Sequence, residues 1–177
     1  MLKRLIMVCF PSWAVSLRRW VAIWGTCLLV LVGFPGVGLA QENTVDYTLT
    51  DLSYRDFSGQ YLAGTSFAAA EMREANFKQA DLSQTILTKA SFLRANLASA
   101  NLSQTFGDRV TFDGADLTDA IFTDAILSSS TFKDARITGA DFSGAILDRY
   151  QIAQMCKYAD GVNATTGIAT RDSLGCR

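Results

Sequence analysis

Residues 75–104 read ANFKQ ADLSQ TILTK ASFLR ANLAS ANLSQ, six blocks of five whose third residues are Phe77, Leu82, Leu87, Phe92, Leu97 and Leu102. The first residue of every block is Ala or Thr. Extended in both directions, the apolar series begins at Leu52, Phe57, Leu62, Phe67 and Met72. It continues through Phe112, Leu117, Phe122, Leu127, Phe132, Ile137, Phe142 and Leu147, so that nineteen of twenty registers are filled. Only Gly107 interrupts it, and Phe112 resumes in phase, so no residue has been inserted or lost there.

A period of five fits neither ordinary element. On an α-helix five residues turn through about 500°, which spreads successive members around the surface instead of forming a stripe. In a straight strand an odd period alternates faces. All members point inward only if the chain turns once per pentad, which makes a solenoid of short flat sides. The residue two before each centre supports this, because an inner corner beside a large side chain has room for little. It is Ala at twelve registers from Ala70 to Ala145, and Thr, Ser or Val at 50, 65, 85, 105, 110 and 130. Only Arg55 and Gln60, in the first coil, depart from the rule. The two positions after each centre are rich in Ser, Thr, Asp, Gly, Gln and Arg, which is turn and solvent chemistry.

Units such as Ala75-Asn76-Phe77, Ala80-Asp81-Leu82, Ala95-Asn96-Leu97, Ala115-Asp116-Leu117 and Ala140-Asp141-Phe142 resemble the pentapeptide-repeat family. The resemblance implies an all-β solenoid, a right-handed quadrilateral β-helix with four pentads per coil and about five coils. At about 4.8 Å per coil the rod would be roughly 24 Å long. In steps of twenty, Phe92, Phe112 and Phe132 then stack in one interior column and Phe122 with Phe142 in another. At Gly107 either the coil leaves a hole or tucks Phe106 or Val110 inward, or a kink exposes a binding surface. Asp51, Asp56, Asp81, Asp116 and Asp141, with Asn76, Asn96 and Asn101, stand just before centres, where short side chains bond neighbouring backbone. That structural use, repeated by the period itself, outweighs a catalytic carboxylate pair or a calcium site.

The rest of the chain fits around this rod. Lys3, Arg4, Arg18 and Arg19, the apolar run Val21 to Phe34, and Gly38-Leu39-Ala40 read as a signal peptide over 1–40, cut between Ala40 and Gln41. The run is short of the roughly twenty residues that span a bilayer, so no membrane association is expected once the leader is removed. Residues 41–51 form an entry or amino-terminal cap, 52–149 the β-helix, and 150–177 a helical carboxyl-terminal cap. Asp148 and Gln151 read as an N-cap pair, followed by a one-sided apolar helix of Tyr150, Ile152, Met155, Cys156, Tyr158 and Ala159. A second short helix starts at Thr170. Cys156 and Cys176, the even pair left after export, read as a disulfide, with redox chemistry the weaker alternative because they form no C-x-x-C motif. The tail resembles that of thylakoid-lumen pentapeptide-repeat proteins of cyanobacteria and chloroplasts, whose cap is disulfide-linked, so the lumen is favoured over a periplasm. Asn163-Ala164-Thr165 matches the N-glycosylation sequon, which should be silent in the bacterial source that the resemblance suggests.

The chain contains no His, which removes the usual general base, the commonest metal ligand and every Ser-His-Asp or Cys-His arrangement. An enzyme using Cys156 or a Ser-Lys pair finds no support in the spacing, and no cofactor, metal or catalytic residue is expected. Without the leader the balance is twelve basic against seventeen acidic residues, which excludes a generic nucleic-acid binder. The expected function is a rigid protein-interaction or scaffolding module with an unidentified protein partner in an exported compartment. The alternative is a DNA mimic that binds a type II topoisomerase, known elsewhere among pentapeptide-repeat proteins. The two positions after each centre carry seven acids (Glu74, Asp108, Asp113, Asp119, Asp124, Asp134, Asp148) and seven bases (Arg73, Lys78, Lys89, Arg94, Arg109, Lys133, Arg149), a balance that, with export, argues against such a mimic. Solenoid ends and flat faces also allow a homodimer, and no residue decides that question.

Overall fold

The computed structural model describes residues 45–177; the signal-peptide reading, with its Ala40–Gln41 cleavage site, lies outside the described residues. From Asp46 to Ile146 each residue that precedes a centre pairs in parallel with the residue twenty further on, from Asp46 with Ser66 to Ile126 with Ile146. The step of twenty means four pentads per coil. Centre amides donate to the coil that follows, as Leu52 N–H does to Glu71 O at 2.7 Å, and the return bond runs from Glu71 N–H to Thr50 O at 3.0 Å. From Tyr47 to Phe142 every pentad is closed by a tight turn whose third residue is left-handed, among them Tyr54, Ala69, Arg94 and Asp134 with φ of 54–62°. The turn position is therefore not reserved for Gly.

The centres from Leu52 to Phe142 are buried, and Leu147 is half-buried at the last coil. Their rings form the interior columns that the period requires. Phe92 and Phe112 stack at 5.3 Å and 6°, Phe112 and Phe132 at 5.1 Å and 15°, and Phe122 and Phe142 at 5.0 Å and 4°. Aromatic pairs at these separations add to plain area burial. A further ring precedes the series: Tyr47 stacks on Phe67 at 5.2 Å, and Asp46 already pairs with Ser66. The coil thus begins one pentad before Leu52, inside the stretch read as an entry cap, because Tyr47 keeps the phase although Val45 fills its small-residue slot.

At Gly107 the register is unbroken, and Phe106 pairs with both Ile86 and Ile126. Val110 turns inward to 1% exposure while Phe106 stays outside at 49%. A Cβ on Gly107 would lie 3.0 Å from Val110 Cγ2 and 3.1 Å from Leu127 Cδ2, so the valine occupies the space a large centre would need. The corner is also opened. Val110 N–H donates to Ser130 Oγ at 3.0 Å, and that hydroxyl donates to Gly107 O at 2.9 Å, where most corners, such as Ala115 N–H to Phe112 O, close directly from amide to carbonyl.

Beyond Leu147 the chain folds back over the last coil. Helix α1 is Arg149–Met155 and helix α2 is Thr170–Ser173. Met155, Ala159 and Leu174 join the core, and Cys156 and Cys176 form a disulfide with Cα atoms 5.6 Å apart. Asn163 pins the intervening loop: its Nδ2 donates to Gly139 O at 2.8 Å and Asp119 O at 3.1 Å, while its Oδ1 accepts from the amides of Thr165 and Thr166. With Asn163 only 1% exposed, its amide is shielded inside the folded cap.

Two expectations for the cap need correction. Asp148 occupies the N-cap position without bonding the helix, because its Oδ2 accepts the Ser129 amide at 2.8 Å, an edge donor of the last coil that has no following coil to receive it. Tyr150 and Tyr158 do not belong to the buried face of α1; they are 69% and 43% exposed. The helix ends at Met155, so Tyr158 lies beyond it and donates from its hydroxyl to Phe132 O at 3.2 Å, while Tyr150 stands in its first turn on the outer side.

Candidate interaction surface

The twenty-residue register sorts the outward residues that precede the centres into four straight columns, one on each side of the rod. One side carries Asp56, Asn76, Asn96, Asp116 and Arg136. Here Asn76 Nδ2 donates to Asp56 Oδ1 at 2.9 Å, and the side-chain oxygens of Asp56, Asn76, Asn96 and Asp116 accept the amides two residues on. The next side carries Tyr61, Asp81, Asn101, Ile121 and Asp141, and a third Asp51, Glu71, Ser91, Thr111 and Thr131. The Asp and Asn residues singled out from the sequence are therefore turn acceptors spread along the rod, not gathered in a cleft.

Electrostatics agrees with this role. The Thr48 hydroxyl holds the Asp46 carboxyl below its ordinary value, the Ser53 side chain does the same for Asp51, and the Ser58 amide for Asp56. Burial pushes Asp141 up, but the hydroxyl and amide of Ser143, with Thr166, outweigh it and leave the group below its ordinary value. Hydrogen bonds to the charged form favour it in each case. Two ion pairs are present among the described residues: Arg94 with Glu74 at 2.8 Å, and Arg109 with Asp108 at 2.7 Å. Both are exposed and contribute little.

The fourth side differs. Its column runs Asp46, Ser66, Ile86, Phe106, Ile126 and Ile146, with Ile86, Phe106 and Ile146 exposed by 45%, 49% and 56% and Ile126 half-buried. Four successive coils thus present apolar side chains at the register that elsewhere bears hydrogen-bonding groups. One flank holds Gln84 and Gln104, joined at 3.0 Å, and then Asp124. The other holds Lys89, Arg109 and Arg149, with Asp108 and Asp148 each next to an arginine. The signal for this ladder lies in the sequence, since Ile86, Phe106, Ile126 and Ile146 stand twenty apart, but the step of twenty is applied there to the centres and not to the residues that precede them.

A second concave feature lies where α1 meets the rod. It is an open groove of about 490 Å³ lined in part by Phe132, Lys133, Tyr150, Gln154, Met155 and Tyr158. Burial, with the Asp134 charge, raises the Tyr158 phenol above its ordinary value. The disulfide sulfurs and the Ser and Lys residues assemble no nucleophile–base pair in it, and its walls are helix and coil side chains already used to seat the cap.

Comparison with known proteins follows the same lines. The model for pentapeptide repeats matches residues 50–88, 75–106, 90–128 and 111–149. A pentapeptide repeat protein from the Arabidopsis thaliana thylakoid lumen is 41% identical over 72% of this chain and 88% of its own, with a TM-score of 0.70. A pentapeptide repeat protein from Nostoc Pcc 7120 is 20% identical over 58% of this chain and 84% of its own, with a TM-score of 0.50, a likeness of fold alone. No curated protein sequence matches the chain.

Proposed function

The chain belongs to the pentapeptide-repeat family, and from that premise we propose that it is an exported, non-enzymatic interaction module of about five coils with a disulfide-tied helical cap. The observation that carries this reading is the fixed register of twenty, which holds outward side chains in straight columns on a backbone too short-sided to flex. Such a surface binds by complementarity with a partner and offers no enclosed site for a small substrate. The likeness to an Arabidopsis thylakoid-lumen protein and the disulfide support an oxidising compartment, with the lumen favoured over a periplasm.

Export works against the DNA-mimic alternative, which needs a cytosolic, strongly anionic rod; the two positions after each centre are balanced in charge, while the columns before the centres carry Asp46, Asp51, Asp56, Glu71, Asp81, Asp116 and Asp141 against Arg136. Two measurements separate the readings. The interaction module is recovered in the soluble exported fraction, and the mature chain leaves type II topoisomerase supercoiling unchanged at physiological salt. Inhibition by the mature chain, together with a cytosolic location, would replace this reading with the mimic.

A further inference from the structure

We propose that the column Ile86, Phe106, Ile126 and Ile146 is the docking face for an amphipathic α-helix of a partner protein, laid along the rod with acidic residues on the flank beside Lys89 and Arg149. The inference rests on the interaction-module reading and names the surface and the partner's chemistry. At the same register the other three sides place mostly Asp, Asn, Ser and Thr, with Glu71, Arg136 and the two separated apolar residues Tyr61 and Ile121, and the Asp and Asn accept a backbone amide two residues on. On those sides apolar groups never stand on successive coils. Four in succession, three of them about half exposed, form a contiguous patch of the kind that marks contact sites.

Spacing selects the occupant. Neighbouring coils lie about 4.8 Å apart, so four rungs span roughly 14 Å. The apolar stripe of a helix repeats about every 5.4 Å, and four of its turns present anchors over roughly 16 Å, close enough for each to meet one rung. Charge sets the direction of approach. Arg109 is held by Asp108, whereas Lys89 and Arg149 have no ion pair among the described residues, Asp148 being turned to the Ser129 amide, and the opposite flank runs from the neutral pair Gln84 and Gln104 to the acidic Asp124. A second copy is the poorer occupant. The patch is of order 300–400 Å², well short of the roughly 800 Å² per partner of a stable protein–protein interface, while helix recognition relies on a few anchors.

The test places photoreactive benzoylphenylalanine at Phe106, or at Lys78 near the opposite side, in the full chain expressed in its native host. Adducts are mapped to the residue by mass spectrometry. Those from position 106 are expected on one partner segment with apolar residues at i, i+3 or i+4, and i+7 and acids along one flank. Ile126→Asp lowers their yield roughly tenfold, the loss of one buried aliphatic anchor. That variant keeps the fold, since Asp116 and Asp141 occupy the same register on other sides, and an unchanged melting curve verifies it. Adducts on a second copy, on an extended segment or on unrelated segments overturn the helix-docking proposal. Adducts from position 78 but not 106 leave the interaction module standing and remove this face; protein adducts from neither position remove both.

Discussion

Ser130 donates its hydroxyl to the carbonyl of Gly107 at 2.9 Å from the following coil, and thereby stands in for a turn bond that the Gly107 corner does not make itself. The same oxygen receives the Val110 amide at 3.0 Å. The missing centre is thus compensated by two neighbours, Val110 in volume and Ser130 in hydrogen bonding. Gly107→Leu alone should overpack the coil at a cost of about 1–3 kcal/mol, and Val110→Ala alone should leave a cavity. Combined, they restore a Leu centre beside an Ala corner, so the double variant should be more stable than the sum of the two by about 1 kcal/mol or more. Thermal unfolding of the four chains measures this coupling; strict additivity would show that Val110 does not fill the glycine's space.

Phe112 sits between Phe92 and Phe132 and meets Phe122 edge-on at 5.6 Å. Phe112→Ala should cost about 3–5 kcal/mol, the range for truncating a fully buried aromatic residue. Denaturant unfolding gives the value, and a loss below about 1 kcal/mol would contradict the stacked column.

Asn163 joins the cap to the last two coils through both ends of its amide. Asn163→Ala leaves two coil carbonyls and two loop amides without that partner, and should destabilise the chain by about 2 kcal/mol. Passed through a eukaryotic secretory route, the native chain should keep its unmodified mass at Asn163, since the folded cap withholds the amide from glycosylation. A glycan found there would show that the cap closes only after modification.

The Cys156–Cys176 link closes a twenty-residue separation, which in the chain-entropy model is worth about 3 kcal/mol. Reduction should lower the unfolding midpoint, and the Cys156→Ser, Cys176→Ser chain should match the reduced protein. Equal midpoints for oxidised and reduced native chain would remove the stabilising role.

Asp141 accepts the amide and the hydroxyl of Ser143 at 2.9 and 2.6 Å, and its folded carboxyl lies below the ordinary value despite its burial. A depressed folded value contributes stability that is present above the unfolded value of about 3.9 and is lost as the pH falls through the folded one. Asp141→Asn should therefore be less stable than the native chain near neutral pH, with the difference shrinking below about pH 4 as the native carboxyl protonates. Melting temperatures from pH 7 to 2 follow it, and a constant difference would assign the effect to shape instead of charge.

The period of five made the rod legible, because its demand on every centre and corner is steric and local: a large residue inward, a small one beside it. The step of twenty followed from the family resemblance, and the Phe92, Phe112 and Phe132 stack realises it. What escaped the reading depends on neighbours distant in sequence. Asp148 abandons its helix because the Ser129 amide lies within reach, and Tyr158 lies beyond the end of α1 and bonds Phe132 O. The exposed ladder was hidden differently: Ile86 and Phe106 are unremarkable in their own pentads and become a surface only when four coils are stacked.

The most direct measurement of the central claim is the stoichiometry of the complex formed around this chain after chemical crosslinking in intact cells, with the mature terminus read by mass spectrometry in the same sample. The account predicts a soluble, exported chain beginning at Gln41 and accompanied by one protein at near-equal amount. A correctly processed chain that travels with no protein would contradict it.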